Sequence, residues 1–241
     1  MRAAARCGLL AALALGAASA AALGAHRHPS SRARGPAADC QPYGTAACLL
    51  PFPDNRFTRP DSGTATGVRV NLPAAAMPLN RAGERIGVAE YDRNDGFSPG
   101  STVIVHVPGL DNAAAFLRTA PVGVTDMSQA FAPGQPIVLI DERTGARQLI
   151  FTELDATALS RQTTSLLIHP ASGLIEGHTY VVALRNLRAA NGRSLAAPGW
   201  FARLRDGRSL YPGLRPQWER YGRIFAALSS AGIPRRGLFE A

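Results

Sequence analysis

Lysine is missing from this chain of 241 residues: every one of its 26 basic positions is arginine, set against 17 acids. Such one-sided usage points to a GC-rich coding bias. The formal charge of +9 is spread along the chain and interrupted by Asp and Glu, whereas a nucleic-acid site needs a clustered basic face with aromatic platforms. Nucleic acid is therefore not an expected partner. Cysteine is scarce, with three residues at positions 7, 40 and 48, and no Cys-x-x-Cys spacing exists to suggest a metal or redox pair. The five histidines contain no H-E-x-x-H pattern, so neither a metal nor another cofactor is expected. A G-x-S-x-G nucleophile elbow is also lacking, because Ser172 in Pro-Ala-Ser-Gly-Leu has neither the first glycine nor a following helix. The chain is expected not to be an enzyme.

What is present begins with MRAAAR and then CGLLAALALGAASAAALGA, a basic start, an apolar run and small residues suited to signal-peptidase cleavage. Residues 1–25 read as a secretory signal, with cleavage after Ala20 or, less favourably, after Ala25. The rival, an N-terminal membrane anchor, needs about 20 strongly apolar residues, and this run is alanine-rich and broken by Gly8, Gly16 and Ser19. Removing the signal takes Arg2, Arg6 and Cys7 with it and lowers the net charge from +9 to +7. Cys40 and Cys48 remain, an even pair in an exported chain, and read as a disulfide. By chain entropy so short a loop contributes about 2 to 3 kcal/mol, a local staple. Residues 26–39, HRHPSSRARGPAAD, are polar, basic and rich in Pro and Ser, a disordered leader by composition.

Roughly 215 mature residues suffice for a real core. Residues 40–98 form an irregular region in which Pro51, Pro53, Pro60, Pro73 and Pro78 forbid a helix and VRVNL is one of a few very short extended pieces. Ser101 to Val107 is the clearest strand of the front half, with Val103, Val105 and Val107 on one face and Thr102, Ile104 and His106 on the other. Asn112 to Arg118 predicts two helical turns behind an Asp111 or Asn112 cap. Gln135 to Asp141 and Arg147 to Leu154 predict a hairpin around ERTGA. SLLIHP and HTYVVALR predict two more strands, closed by Asn191-Gly192, whose positive φ angles suit a two-residue hairpin turn. Five or six short strands with turn signals between them imply an antiparallel sandwich. After a linker, Pro216 is placed as a first helical residue, and Trp218, Tyr221, Ile224, Phe225 and Leu228 repeat at helical spacing until Gly232 and Pro234. This aromatic stripe must be buried, either against the sandwich or in an interface with a partner or a second copy.

Few residues offer chemistry. His106 lies close in sequence to Asp111, with Ser98 and Ser101 upstream, so a serine esterase with His106 as base is conceivable, although a triad is defined by geometry. Asp92, Asn94 and Asp95 share features with a calcium loop, but Gly96 stands where an acid or amide belongs and no Glu follows at the twelfth position. A turn with side-chain-to-backbone hydrogen bonds explains them better. Cleavage after Ala25 would make His26 the N-terminal residue, able to chelate copper through its amine and imidazole. Against that stand the weak cleavage site and the lack of an identified second ligand among His106, His169 and His178.

The run CLLPFPDNRFTRPDSGTATGVRVNLPAAAMP, followed by DRNDGFSPGSTVIVHVPGLD, resembles the N-terminal region of bacterial secreted lipase-like and esterase-like α/β-hydrolases. The resemblance continues through WERYGRIFAALSSAGIPRRGL, which in such proteins leads into the catalytic domain. Residues 177–195 resemble the closing strands of bacterial Ig-like domains, with the pattern Gly-x-Thr-Tyr-x-Val-x-Leu before an Asn-Gly turn. The resemblance implies a mainly β protein: an antiparallel Ig-like β-sandwich over 99–205, an irregular Pro-rich region before it and one amphipathic helix within 206–241. It implies an accessory role, because the family's serine, acid and histidine have no counterparts in this chain. The expected protein is a secreted, non-catalytic structural or binding module, the front of a hydrolase in truncated or split form. Its expected partner is a hydrolase domain, or a second copy through the C-terminal helix. A cell-wall or extracellular-polymer binder is the alternative.

Overall fold

The computed structural model describes residues 49–208 and 217–241. The signal, the leader, Cys40, Cys48, His26 and Pro216 lie outside the described residues.

Proline keeps the front of the chain irregular. Residues 49–97 contain single helical turns at Asn55–Phe57, Ala74–Ala76 and Tyr91–Arg93 and a two-stranded ribbon, β1 (Thr58–Pro60) with β2 (Val68–Val70). Phe57, Val70, Leu72 and Met77 give this part its own small core, with Phe52 and Phe97 packed against it and edge to face with each other. Phe52 also bridges to Ile104 through two backbone hydrogen bonds. Contacts therefore cross the boundary drawn in sequence between 98 and 99.

Two three-stranded antiparallel sheets follow. β3 (Val103–Val105), β6 (Leu166–Pro170) and β5 (Ile150–Leu154) form one in the order β3-β6-β5, and β4 (Ile137–Asp141), β7 (Tyr180–Arg185) and β8 (Leu238–Glu240) form the other in the order β4-β7-β8. The valine alternation of β3 is observed as read: Val105 and Val107 are buried. The predicted hairpin around ERTGA is half realised. Ile140 pairs with Arg147, and the Gln148 N–H donates to the Leu139 carbonyl, but two residues later the chain leaves for the other sheet, where β5 pairs with β6. Likewise β6 and β7, adjacent in sequence, lie in different sheets. The Asn191-Gly192 turn forms with a different geometry from the one expected. Only Gly192 has positive φ, at 81°, while the Gly192 N–H donates to the Ala189 carbonyl and Arg188 pairs with Ser194. This is a type I turn followed by a left-handed glycine, the longer hairpin solution. Leu195 then sits against Gly109, where a Cβ would come within 2.7 Å of the leucine Cδ2.

Three helices complete the described fold. α1 (Ala113–Thr119) starts as expected at Asn112, whose side chain accepts from the Ala115 N–H. α2 (Gly199–Arg205) and α3 (Trp218–Ser230) pack together. α2 was not anticipated: Pro198 places it and Trp200, Phe201 and Leu204 are its buried side chains.

The core shows why these helices exist. Ile137 and Leu139 on β4 and Leu184 on β7 face Val105, Ile150, Leu166 and Ile168 of the other sheet. Val138, Ile140, Val181 and Ala183 point the opposite way, into Trp200, Phe201, Leu204, Tyr221, Ile224, Phe225 and Leu228. All five residues of β4 are buried, as expected of a strand covered on both faces. The arrangement is sheet, sheet, helices. The helical stripe is consequently turned inward: Tyr221, Ile224, Phe225 and Leu228 cover β4 and β7, and Trp218 alone of the five stays 44% exposed. A docking surface on that face is not what the packing presents, because a two-faced apolar strand needs the stripe as its own lid. No helix among the described residues is long and apolar enough to cross a membrane.

Candidate functional site

The polar residues singled out in sequence are dispersed by the fold. His106 follows β3, and its Nδ1 donates to the Thr164 carbonyl at 3.0 Å, which fixes the strand against the loop leading into β6. Asp111 faces elsewhere, accepting from Arg161 Nε at 3.0 Å and Nη2 at 2.7 Å, from the Asn112 amide at 2.9 Å and from the Gly109 N–H at 3.3 Å. Burial works against its charge, but the Asn112 amide, the Arg161 guanidinium and the Gly109 N–H together outweigh it and hold the carboxyl below its usual value. Ser98 and Ser101 form a turn ahead of β3, with the Ser98 hydroxyl accepting from the Gly100 N–H and the Ser98 carbonyl from the Ser101 N–H. Among the described residues no hydrogen bond joins His106 to Asp111, Ser98 or Ser101, so the line of contacts that defines a serine triad is not formed by these four.

Two constellations that sequence did not mark are brought together instead. On the β3-β6-β5 sheet, His169 stands opposite Phe151 in register and stacks on it at 4.5 Å between centroids. Its Nδ1 shares a hydrogen bond with the Thr102 hydroxyl at 2.9 Å, and its Nε2 with Glu153 Oε1 at 3.1 Å. A hydroxyl, an imidazole and a carboxylate thus run in line across three strands. Such a line can hold a proton, and with both ring nitrogens engaged it ties β3, β6 and β5 to one another. The only sequence signal was the neighbouring-strand register, which no single segment displays.

The second pair closes the other sheet. Asp141 ends β4, and its Oδ2 lies 2.5 Å from His178 Nδ1, in the turn before β7. Asp141 Oδ1 accepts from the backbone N–H groups of Arg143 and Thr144 at 2.8 and 3.2 Å. Burial raises the carboxyl most, yet the His178 hydrogen bond and the two N–H groups prevail and bring it below its usual value.

A third polar junction joins front and back of the chain. Asp54 caps its helical turn through the Arg56 N–H at 2.7 Å and receives Arg220 Nη2 from α3 at 2.9 Å. Near it, the Glu240 carboxyl on β8 is pushed up to about 7, first by burial and then by the charge of Asp54, with Arg56 pulling the other way.

Asn94 takes the turn role expected, its amide donating to the Tyr91 carbonyl, whereas Asp92 Oδ1 accepts at 2.9 Å from the Leu72 N–H, 20 residues away, and ties its turn to the segment after β2. Among the described residues no three His, Cys, Asp or Glu side chains gather where a metal ion could bind. No known family, curated protein or solved structure matches the chain.

Proposed function

We propose that this chain is a secreted, non-catalytic structural or binding module, equivalent to the N-terminal part of a large extracellular lipase-like or esterase-like hydrolase. In this reading the two facing sheets are an Ig-like sandwich, residues 1–25 direct export and Cys40 with Cys48 staple the entry to the domain. One observation carries the non-catalytic part. Each of the three histidines in the described residues spends a ring nitrogen on holding a strand or its flanking loop to a neighbour, His106 to Thr164, His169 to Thr102 and Glu153, and His178 to Asp141. These bonds support an architectural use of the imidazoles, with function in what the module carries or binds.

The hydrolase partner is tested by reading the source DNA past codon 241 in all three forward frames. A G-x-S-x-G elbow within the next few hundred codons is expected. A clean stop with no hydrolase downstream would overturn the front-module reading and leave a free-standing binding protein. Self-association through the C-terminal helix is not retained, since four of its five stripe residues are occupied within the chain.

A further inference from the structure

Where α2 ends and the turn before β8 begins, an open surface depression of about 400 Å³ is lined by Arg205, Asp206, Arg235, Arg236 and Gly237. Three guanidinium groups face one carboxylate there. That carboxylate is already neutralised: Arg205 donates to its two oxygens from Nε at 2.7 Å and Nη2 at 3.2 Å, and to the Leu238 carbonyl from Nη1 at 2.8 Å. Asp206 therefore acts as the clamp of Arg205, and with Arg208 also 3.9 Å away this single carboxylate only partly offsets the charge of Arg235 and leaves Arg236 without an ion-pair partner among the described residues.

Arg235 is also held in place. Its Cζ sits 4.0 Å above the centre of the Phe225 ring, and its Nη2 donates to the Leu204 carbonyl at the end of α2. Burial is the main cause that lowers this guanidinium from its usual value; Asp206 opposes the shift and the nearby charge of Arg205 adds to it. An arriving anion would offset the repulsion between Arg235 and Arg205. Arg236, exposed beside it, makes no hydrogen bond or ion pair among the described residues. A preorganised site binds without the entropy cost of ordering its side chains, and two of these three arginines are ordered by the fold itself.

The kind of anion follows from the donors. One guanidinium fork satisfies a carboxylate bidentately, whereas N–H groups from three guanidinium groups around one space match a tetrahedral oxyanion with three or more acceptor oxygens. The space is open to solvent, with Asp206, Arg235, Arg236 and Gly237 exposed, and its volume of about 400 Å³ has room for a phosphate and part of what it is attached to. We propose that this depression binds a phosphate group, with Arg236 offering its unengaged fork and Arg205 and Arg235 the N–H groups that Asp206, Leu238 and Leu204 leave free. The site goes beyond the module reading and stands whether or not a hydrolase is attached.

The test uses the full chain labelled with ¹⁵N-arginine, titrated with inorganic phosphate at an ionic strength held constant with sodium chloride. Cosedimentation with vesicles of phosphatidylglycerol, against phosphatidylcholine, runs in parallel. Saturable shifts of the arginine Nε–Hε resonances are expected, with affinity about tenfold weaker in Arg236→Ala through loss of one charge-assisted contact. Arg236 supports nothing in the fold, so that variant stays folded, and Arg235→Lys, which keeps the charge but loses the fork, should weaken binding as well. Saturation by free phosphate identifies a soluble phosphate ligand. Vesicle binding that depends on Arg236, without saturation by free phosphate, identifies a lipid headgroup. The proposal is overturned if phosphate shifts the resonances no more than chloride does and vesicle binding is equal in wild type and Arg236→Ala.

Discussion

Asp141 keeps its charge at the buried end of β4 because three donors reach it, and that makes it a source of pH-dependent stability. A carboxyl held below its unfolded value of 3.8 stabilises the fold above that pH and loses the contribution as pH falls through the folded value. Asp141→Asn should cost about 1.5 to 3 kcal/mol at pH 7, the range for hydrogen bonds to a charged group. Urea unfolding at pH 7 and pH 3 checks it, since the gap between variant and wild type should narrow in acid. Glu240 has the opposite sign. Its carboxyl is raised from 4.5 to about 7, so the stability linked to its neutral form is full below pH 4.5 and lost as pH rises through 7. Glu240→Gln should therefore be more stable than wild type by roughly 1 to 3 kcal/mol at pH 8 and indistinguishable from it at pH 4. The neighbours that decide this are Asp54, Arg56 and, through its bond to Asp54, Arg220.

At the scale of elements, β4 explains most of what is unusual. Five consecutive buried residues require a cover on each face, and α3 supplies one of them. Leu228, 1% exposed and packed in the helix-facing core, should cost about 2 to 5 kcal/mol when replaced by alanine. Trp218→Ala, at the exposed end of the stripe, should cost far less, and thermal melts of the two variants measure the contrast. The periodicity of this helix was legible, as were the valine face of β3, the Asn112 cap and the β6 and β7 strands, because each is written in adjacent residues. The partner of each strand was not. ERTGA announces a hairpin, and one bridge forms, but nothing local in RQLIFTEL says that β5 will cross to β6. The Asn-Gly signal located its turn, while the surrounding Arg188 and Ser194 pairing selected the turn type. α2 escaped notice because seven residues behind a proline carry too short a period to stand out.

For the whole molecule, the sites follow the same rule. His106, Asp111 and Ser101 are near in sequence and are directed to different partners by the fold, whereas Thr102, His169 and Glu153 are distant and meet. The arginines around the α2 terminus looked like dispersed charge in sequence, and three of them line one open depression when β8 returns beside β7. Distances across strands, not spacings along the chain, decide which polar groups act together, and these groups act to join sheets, loops and the front ribbon into one structure. The most direct test of a non-catalytic module is to expose the purified full chain to a fluorophosphonate probe and to p-nitrophenyl esters. The account predicts no labelling and no turnover above buffer. Labelling or hydrolysis that disappears in Ser98→Ala, Ser101→Ala or His106→Ala would contradict it.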